Sequence, residues 1–393
     1  MAVALKKLIE KIAHLDVVPV AGESGMDRPV TWIQMVESIE VSTFLEDDEI
    51  AIVTSISMKS SDELLPLVKV LDEKNASGII LNTGPYIDKV PQEVLDYCND
   101  ADLPFFTVPW RIRISEIMRI LCYEITKEDQ KNFQQSSAFK NAIFFPIQTE
   151  LYMVPLSEYG YQTEKPFTVA VVQIRKDREE KSDTIYERLD NLCFRLTFTL
   201  AHTFRRFSIF PYNEEIIAVM ADYSAEQITK FIAALSHHIG DVLHEKQNEK
   251  YTIGVGKTTQ SARCIYKSYR QAVTVCRLQN GGITKKGSVY YAEMGLYKLL
   301  MNIEDREVLE DYYAHTIKPL ADYDSDHQTN LVAVLASYLS HNCSVQEAAE
   351  ELFIHRNTVN YRLNKISELT HMDLSSQKSR LELQAGLMVK NIL

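Results

Sequence analysis

Between His355 and Ser367 the chain gathers Arg356, Asn357, Thr358, Asn360, Tyr361, Arg362 and Lys365, and carries no acidic residue. These are the side chains a nucleic-acid contact needs. An arginine can donate two hydrogen bonds to a guanine edge, and an asparagine can pair through two bonds with adenine. Thr358, Tyr361, Arg362 and Lys365 suit phosphate oxygens, which orient a protein on a duplex without reading its sequence. With His355 leading the run, these eight residues are the candidate DNA contacts.

Such contacts require a rigid support. Val359, Leu363 and Ile366 stand at i, i+4 and i+7, which predicts a helix over 356–370 with one stripe to bury. Just upstream, Ser344 followed three residues later by Glu347 is the signature of a capping box and predicts a short helix over 345–352. Phe353 and Ile354 leave room only for a tight turn between the two. An apolar helix over 331–339 precedes them. Two helices joined by so few residues form a helix-turn-helix unit, and Ala348 and Ala349 supply small side chains where the helices must approach.

The run Ala348-Ala349-Glu350-Glu351-Leu352-Phe353-Ile354-His355-Arg356-Asn357-Thr358-Val359-Asn360-Tyr361-Arg362-Leu363, continuing to Glu368-Leu369-Thr370, resembles the C-terminal helix-turn-helix of the PucR/CdaR-type regulators of purine and sugar-acid catabolism, itself similar to the Fis-type DNA-binding unit. Asp27-Arg28-Pro29-Val30-Thr31-Trp32, Glu37, Asp48-Glu49-Ile50 and Leu103-Pro104 resemble the sensory domain of that family. Ile253-Gly254-Val255-Gly256, Ser268-Tyr269 and Gln271-Ala272 resemble its middle domain, a degenerate relative of diguanylate cyclases. Two departures stand out. The family's Leu-Thr-Thr-Gly after the first strand reads here Ile52-Val53-Thr54-Ser55, and its Thr-Gly after the recognition helix reads Thr370-His371.

The rest of the chain has its own periodicities. Leu5, Leu8, Ile9 and Ile12 predict an amphipathic N-terminal helix. From Ile50 to about Ile114 short apolar runs alternate with helical patterns, the rhythm of a parallel sheet with helical crossovers. Ligands of open α/β sheets bind outside the carboxyl ends of the strands. Thr54, Ser55, Ser57, Asn82, Thr83, Gly84, Pro109 and Trp110 are therefore candidate pocket walls, and Arg28, Glu37, Asn82 and Tyr86 are the candidate ligand contacts. A helix from about Ile114 turns polar over 128–137 and reads as a connector. From Phe167 to Gln279 the order βαββαβ is that of a ferredoxin-like domain. Gly256-Lys257-Thr258 imitates the end of a phosphate-binding loop, but Tyr251 stands where the first glycine is required. After about Leu320, Asp322, Asp324 and Asp326 with Ser325 and Thr329 read as a linker.

The expected architecture is multidomain α/β plus α. It comprises a sensory α/β parallel-sheet domain over 1–126, a helical connector over 127–165, a degenerate, cyclase-like ferredoxin-fold domain over 166–320 and an all-α helix-turn-helix domain over 321–393.

Composition narrows the function. A net charge of −12 over 393 residues excludes a protein whose whole surface coats nucleic acid, so DNA contact must be local. No stretch reaches the ~18 consecutive apolar residues of a membrane span, and the N-terminus lacks a leader's uninterrupted apolar run. Six scattered cysteines without a Cys-x-x-Cys pair point to buried free thiols rather than disulfides or zinc. A cyclase would need glycines and converging carboxylates in the hairpin that here reads Pro211-Tyr212-Asn213-Glu214-Glu215, so no catalysis, metal or cofactor is expected. The reading is a cytoplasmic, metabolite-responsive transcription regulator that binds an inverted-repeat operator as a homodimer or higher oligomer, with a small-molecule effector and RNA polymerase as candidate partners. The alternative is a metabolite sensor or interaction protein with a structural helix-turn-helix. The resemblance implies that the effector is a purine breakdown product, an amino acid or a related carbon or nitrogen source.

Overall fold

The computed structural model describes residues 3–54, 56, 58, 60–174, 182–244, 251–283, 287 and 289–393. The chain divides into two compact units, Met1–Thr168 with Ile174–Lys250 and Thr259–Tyr266, and Val169–Gln173 with Tyr251–Thr258 and Lys267–Leu393.

The first unit opens with β1 (Val3–Ala4) and α1 (Leu5–Ile12), whose Leu5, Leu8, Ile9 and Ile12 are all buried as their spacing predicts. There follow β2 (Val18–Ala21), β3 (Pro29–Val30), β4 (Trp32–Met35), β5 (Glu49–Val53), α2 (Leu64–Glu73), β6 (Gly78–Thr83), α3 (Gln92–Asp100), β7 (Phe105–Pro109) and α4 (Ile114–Phe144). Five strands make one sheet in the order β2-β7-β6-β5-β4. β4 to β7 run parallel, and β2 closes one edge antiparallel to β7. The sheet is thus mixed at one edge, where pure parallel pairing was expected.

Both faces of this sheet are covered, which is why β5 and β6 read as unbroken apolar runs. Ile50, Ile52, Ile80, Phe106 and Val108 pack with α1 and the start of α4, while Ala51, Val53, Ile79, Leu81 and Phe105 pack with α2 and α3. Alternation along each strand therefore feeds two cores.

The polar stretch 128–137 is not a break. α4 is one helix of 31 residues. Its first turns bury Ile117, Leu121 and Ile125, and its last turns bury Ala138, Phe139 and Ala142, with the Phe139 ring edge-on to Tyr161 and Phe167. α5 (Met153–Glu158) follows, then β8 (Phe167–Ile174), α6 (Ser182–Ala201), β9 (Phe207–Tyr212), β10 (Glu215–Ala221), α7 (Ala225–His244), β11 (Tyr251–Val255) and α8 (Ile265–Asn280), so the chain order βαββαβ is present. β9 and β10 form a tight antiparallel hairpin in which Tyr212 pairs with Glu215.

In the second unit β11 explains its own glycines. A Cβ built on Gly254 would lie 2.0 Å from the Ala272 carbonyl oxygen, and one on Gly256 2.0 Å from that of Ser268. The two glycines share a strand face, Ser268 and Ala272 share a helix face, and α8 lies directly on the strand. Ser268 also accepts the Val169 amide through its hydroxyl at 2.9 Å. The pattern that imitates a phosphate-binding loop is a packing contact.

The remaining elements are α9 (Tyr297–Leu300), α10 (Arg306–Thr316), α11 (Lys318–His327), α12 (Leu331–Ser340), α13 (Val345–Glu351), α14 (Arg356–Thr370) and α15 (Gln377–Ile392). The acidic stretch expected as a linker is helix α11. The Asp324 carboxylate accepts the amides of Leu331 at 2.6 Å and Val332 at 3.0 Å and the Thr329 hydroxyl at 2.6 Å, so it caps the start of α12. Of the six cysteines, Cys98, Cys193 and Cys276 are buried, whereas Cys122, Cys264 and Cys343 are half-buried. Among the described residues no His, Cys, Asp and Glu group is arranged to hold a metal, and no helix is long and apolar enough to cross a membrane.

Candidate nucleic-acid interface

One apolar core supports the helix-turn-helix: Leu331, Val334 and Leu335 of α12, Ala348 and Ala349 of α13, and Val359, Leu363 and Ile366 of α14. Ile317, Leu320 and Leu383 complete it. Both alanines are buried where α13 meets its neighbours. The Ser344 hydroxyl caps α13 by accepting the Glu347 amide at 3.3 Å. The Ser344 amide donates to the His341 carbonyl, so the reciprocal arm of a capping box is not the one that satisfies it. His355 opens α14 by accepting the Asn357 amide on its Nδ1 at 3.2 Å.

At about 100° per residue, Val359, Leu363, Ile366 and Thr370 cluster on one side of α14, and all are buried. Arg356, Asn357, Asn360 and Tyr361 span an arc of about 140° that begins beside Leu363 and turns away from the buried stripe. All four are exposed, Tyr361 by 71%, and His355 is exposed beside them. The eight candidates therefore do not form a single face. Thr358, Arg362 and Lys365 lie on a flank and are half-buried. Lys365, with 24% of its side chain exposed, pairs with Glu368 at 2.9 Å and sits 5.3 Å from the Tyr323 ring centroid of α11, and the Glu368 hydrogen bond raises its pKa. These neighbours hold it on that flank.

Two of the three acidic residues of α13 have partners of their own. Glu351 accepts from the Ser337 hydroxyl and lies 3.6 Å from His341 Nδ1, and Glu350 accepts from Gln346 at 3.2 Å. What faces outward from the first two turns of α14 is a patch of two asparagines, an arginine, a histidine and a tyrosine, with Asn364 one turn further along and the first carboxylate, Glu368, a turn beyond that. Such a set can donate to base edges and phosphates in one docking.

The four candidate ligand contacts separate along the sheet. Glu37 follows β4, Asn82 is the penultimate residue of β6 and Tyr86 follows that strand, all at the carboxyl edge. The Glu37 carboxylate accepts from the Thr54 hydroxyl, and the Tyr86 ring stands edge-on to Trp110 at 5.7 Å. Asn82 is buried and donates to the Val108 carbonyl at 3.2 Å, tying β6 to β7. Arg28 is at the opposite, amino edge, where it donates to the carbonyls of Ala76 at 2.8 Å and Ala101 at 3.1 Å. It clamps the loops that enter β6 and β7 and does not join the other three. Trp110 and Thr54, which walled the expected pocket, are the neighbours that Glu37 and Tyr86 meet.

In the middle segment, the Phe144 ring at the end of α4 stacks on Tyr212 of the hairpin, with centroids 3.9 Å apart and an interplanar angle of 23°. Lys140 Nζ lies 5.5 Å from the Phe210 ring centroid, and burial lowers its pKa. Tyr212 and Phe210 of the hairpin that would face substrate in a cyclase thus meet the chain's own helix, while Asn213 and Glu214 at its tip are exposed.

Three family descriptions match in order: the purine catabolism regulatory protein-like family over residues 8–125, a GGDEF-like domain over 155–278, and the PucR C-terminal helix-turn-helix domain over 331–389. The proline-responsive transcriptional activator PutR of Bacillus subtilis is 31% identical over 186 residues, which are 46% of this chain and 45% of that one. The DNA-binding transcriptional activator AdeR of the same organism is 22% identical over 236 residues, 59% and 54% of the two chains. The chain thus spans about half the length of these two relatives. The Bacillus subtilis purine catabolism regulatory protein is 24% identical over an alignment that covers 95% of this chain and 97% of that one. With its beginning, middle and end matched in that order, the chain belongs to the PucR family of purine catabolism regulatory protein-like regulators.

Proposed function

We propose that this protein is a sequence-specific DNA-binding transcription regulator that controls genes of purine, amino-acid or related nitrogen and carbon catabolism in response to a small metabolite. The observation that carries this reading is the exposed, acid-free surface of the first two turns of α14, with Arg356 and Asn360 one turn apart and Asn357 and Tyr361 beside them. Arg356 and Asn360 read bases, while His355, Asn357 and Tyr361 hold the helix on the backbone. Thr358, Arg362 and Lys365 act from the flank.

The proposed division keeps an N-terminal sensor, the α4 connector, a ferredoxin-like spacer without catalysis, and the C-terminal reader. The βαββαβ chain order, the GGDEF-like match and the stacking of Phe144 on the hairpin's Tyr212 support the spacer. One recognition helix reads few base pairs, so a homodimer on an inverted repeat in the cytoplasm, with RNA polymerase as its downstream contact, is the economical arrangement. The effector binds at the carboxyl edge of the N-terminal sheet, near Glu37, Tyr86 and Trp110. It acts by favouring one arrangement of the subunits over the other.

Selection of genomic fragments by the full-length protein tests the reading. Enrichment of a discrete inverted repeat is expected, with a loss of about 10- to 100-fold in affinity in Arg356→Ala. Equal recovery of fragments by wild type and an Arg356→Ala, Asn360→Ala double variant refutes it.

A further inference from the structure

The turn between α13 and α14 contains a residue that the fold itself does not use. α13 ends in a Schellman arrangement, in which the Ile354 amide donates to the Ala349 carbonyl at 3.0 Å and the Phe353 amide to that of Glu350 at 3.3 Å. This places residue 353 in the left-handed region, with φ of 53°. Glycine or asparagine usually occupies that position, because a Cβ crowds the following carbonyl there. Among the described residues, most of the other side chains at positive φ are Asp or Asn, and Phe353 is the one large apolar side chain.

Burial does not compensate for this strain. Leu352 and Ile354 turn into the helix-turn-helix core, whereas Phe353 between them is 95% exposed. The left-handed backbone points the ring away from the core. It stands just ahead of His355, Arg356 and Asn357, in the acid-free stretch that runs to Ser367. A strained, solvated aromatic ring beside a polar reading face calls for an apolar counterpart outside the chain.

We infer that Phe353 is a DNA-contacting residue: its ring seats against the apolar carbons of the groove wall, the deoxyribose carbons and thymine methyls, as α14 enters the major groove. This rests on the DNA-binding reading above and adds to it a contact of different chemistry. Apolar contact releases no counterions, so it leaves the salt dependence of binding untouched, unlike a phosphate contact.

The test is Phe353→Gly in the full-length protein. Glycine relieves the backbone and removes the ring, so a structural role and a binding role move the measurements in opposite directions. The inference expects a melting temperature equal to or above that of wild type. It also expects about tenfold weaker binding to a selected duplex, with an unchanged slope of log K against log salt. Wild-type affinity in Phe353→Gly, or weaker binding accompanied by a lower melting temperature or a shallower salt slope, overturns the Phe353 contact while leaving the DNA-binding reading intact. Absence of duplex binding by the wild-type protein overturns both.

Discussion

Gly386, buried in the middle of α15, sets two effects of opposite sign against each other. Helix propensity alone predicts that Gly386→Ala stabilises the protein by about 1 kcal/mol. The packing predicts otherwise. A Cβ at this position would lie 2.4 Å from Thr316 Oγ1 and 2.9 Å from both Thr316 Cβ and Ile317 Cγ1, against the ~3.5 Å of an ordinary contact. Thr316 cannot easily swing aside, because it is buried and its hydroxyl donates to the Tyr312 carbonyl at 2.6 Å. Ile317 is fully buried. Relief therefore requires α15 to move off α10, and overpacking of this kind costs about 2–3 kcal/mol. The net expectation is a loss of about 1–2 kcal/mol. Hydrogen exchange of the intact protein, followed over 377–392, reads this directly, since 1.4 kcal/mol speeds exchange through local opening about tenfold. Exchange in Gly386→Ala that is unchanged or slower refutes the close-approach argument and leaves propensity in control.

The same reasoning is sharper at Gly254, where the obstacle is a backbone carbonyl. Gly254→Ala is expected to destabilise the middle segment by about 3 kcal/mol or more, seen as early melting of the α8 region, and a wild-type melting profile would contradict it. Asp324→Ala removes the cap of α12 and should lower stability by about 1–2 kcal/mol, whereas Asp326→Ala, two residues on and exposed, serves as a neutral control in the same denaturation series. Burial pushes the Cys98 thiol up to about 12, with Asp72 adding to the shift. At pH 8 it is protonated in the folded protein, so iodoacetamide is expected to leave Cys98 unmodified until denaturant is added, as mass spectrometry of the peptide would report.

How much of this was legible in the sequence depended on how local the determining contacts are. The bounds of α14 followed from Val359, Leu363 and Ile366, the burial of α1 from its four apolar residues, and the central strands from continuous apolar runs, all of which are signals within a few residues. The edge strands β2 and β4 carried no such signal, because each is four residues long and partly solvated. The stretch 318–327 looked like a linker because its acids are read one at a time. Asp324 is held in a helix by amides that come seven and eight residues later. Lys365 belonged to the reading face by composition, yet Tyr323, 42 residues upstream, and Glu368, three downstream, draw it onto the flank. Arg28 matched a ligand contact by type, and only the fold reveals that the carbonyls of Ala76 and Ala101 converge on its guanidinium.

The continuity of α4 has a consequence for how the chain can be divided. At about 1.5 Å per residue its 31 residues make a rod of about 46 Å, and its two ends are mortised into different cores. A helix resists twisting and shortening at its midpoint, because either strains its backbone hydrogen bonds, so α4 gives Ile117 and Leu121 beneath the N-terminal sheet a continuous mechanical connection to Phe139 and the Phe144–Tyr212 stack. Scission near residue 127 would leave each half-helix packed on its own core but remove the continuous backbone between them. The stretch that most resembles a hinge in composition is continuous helix.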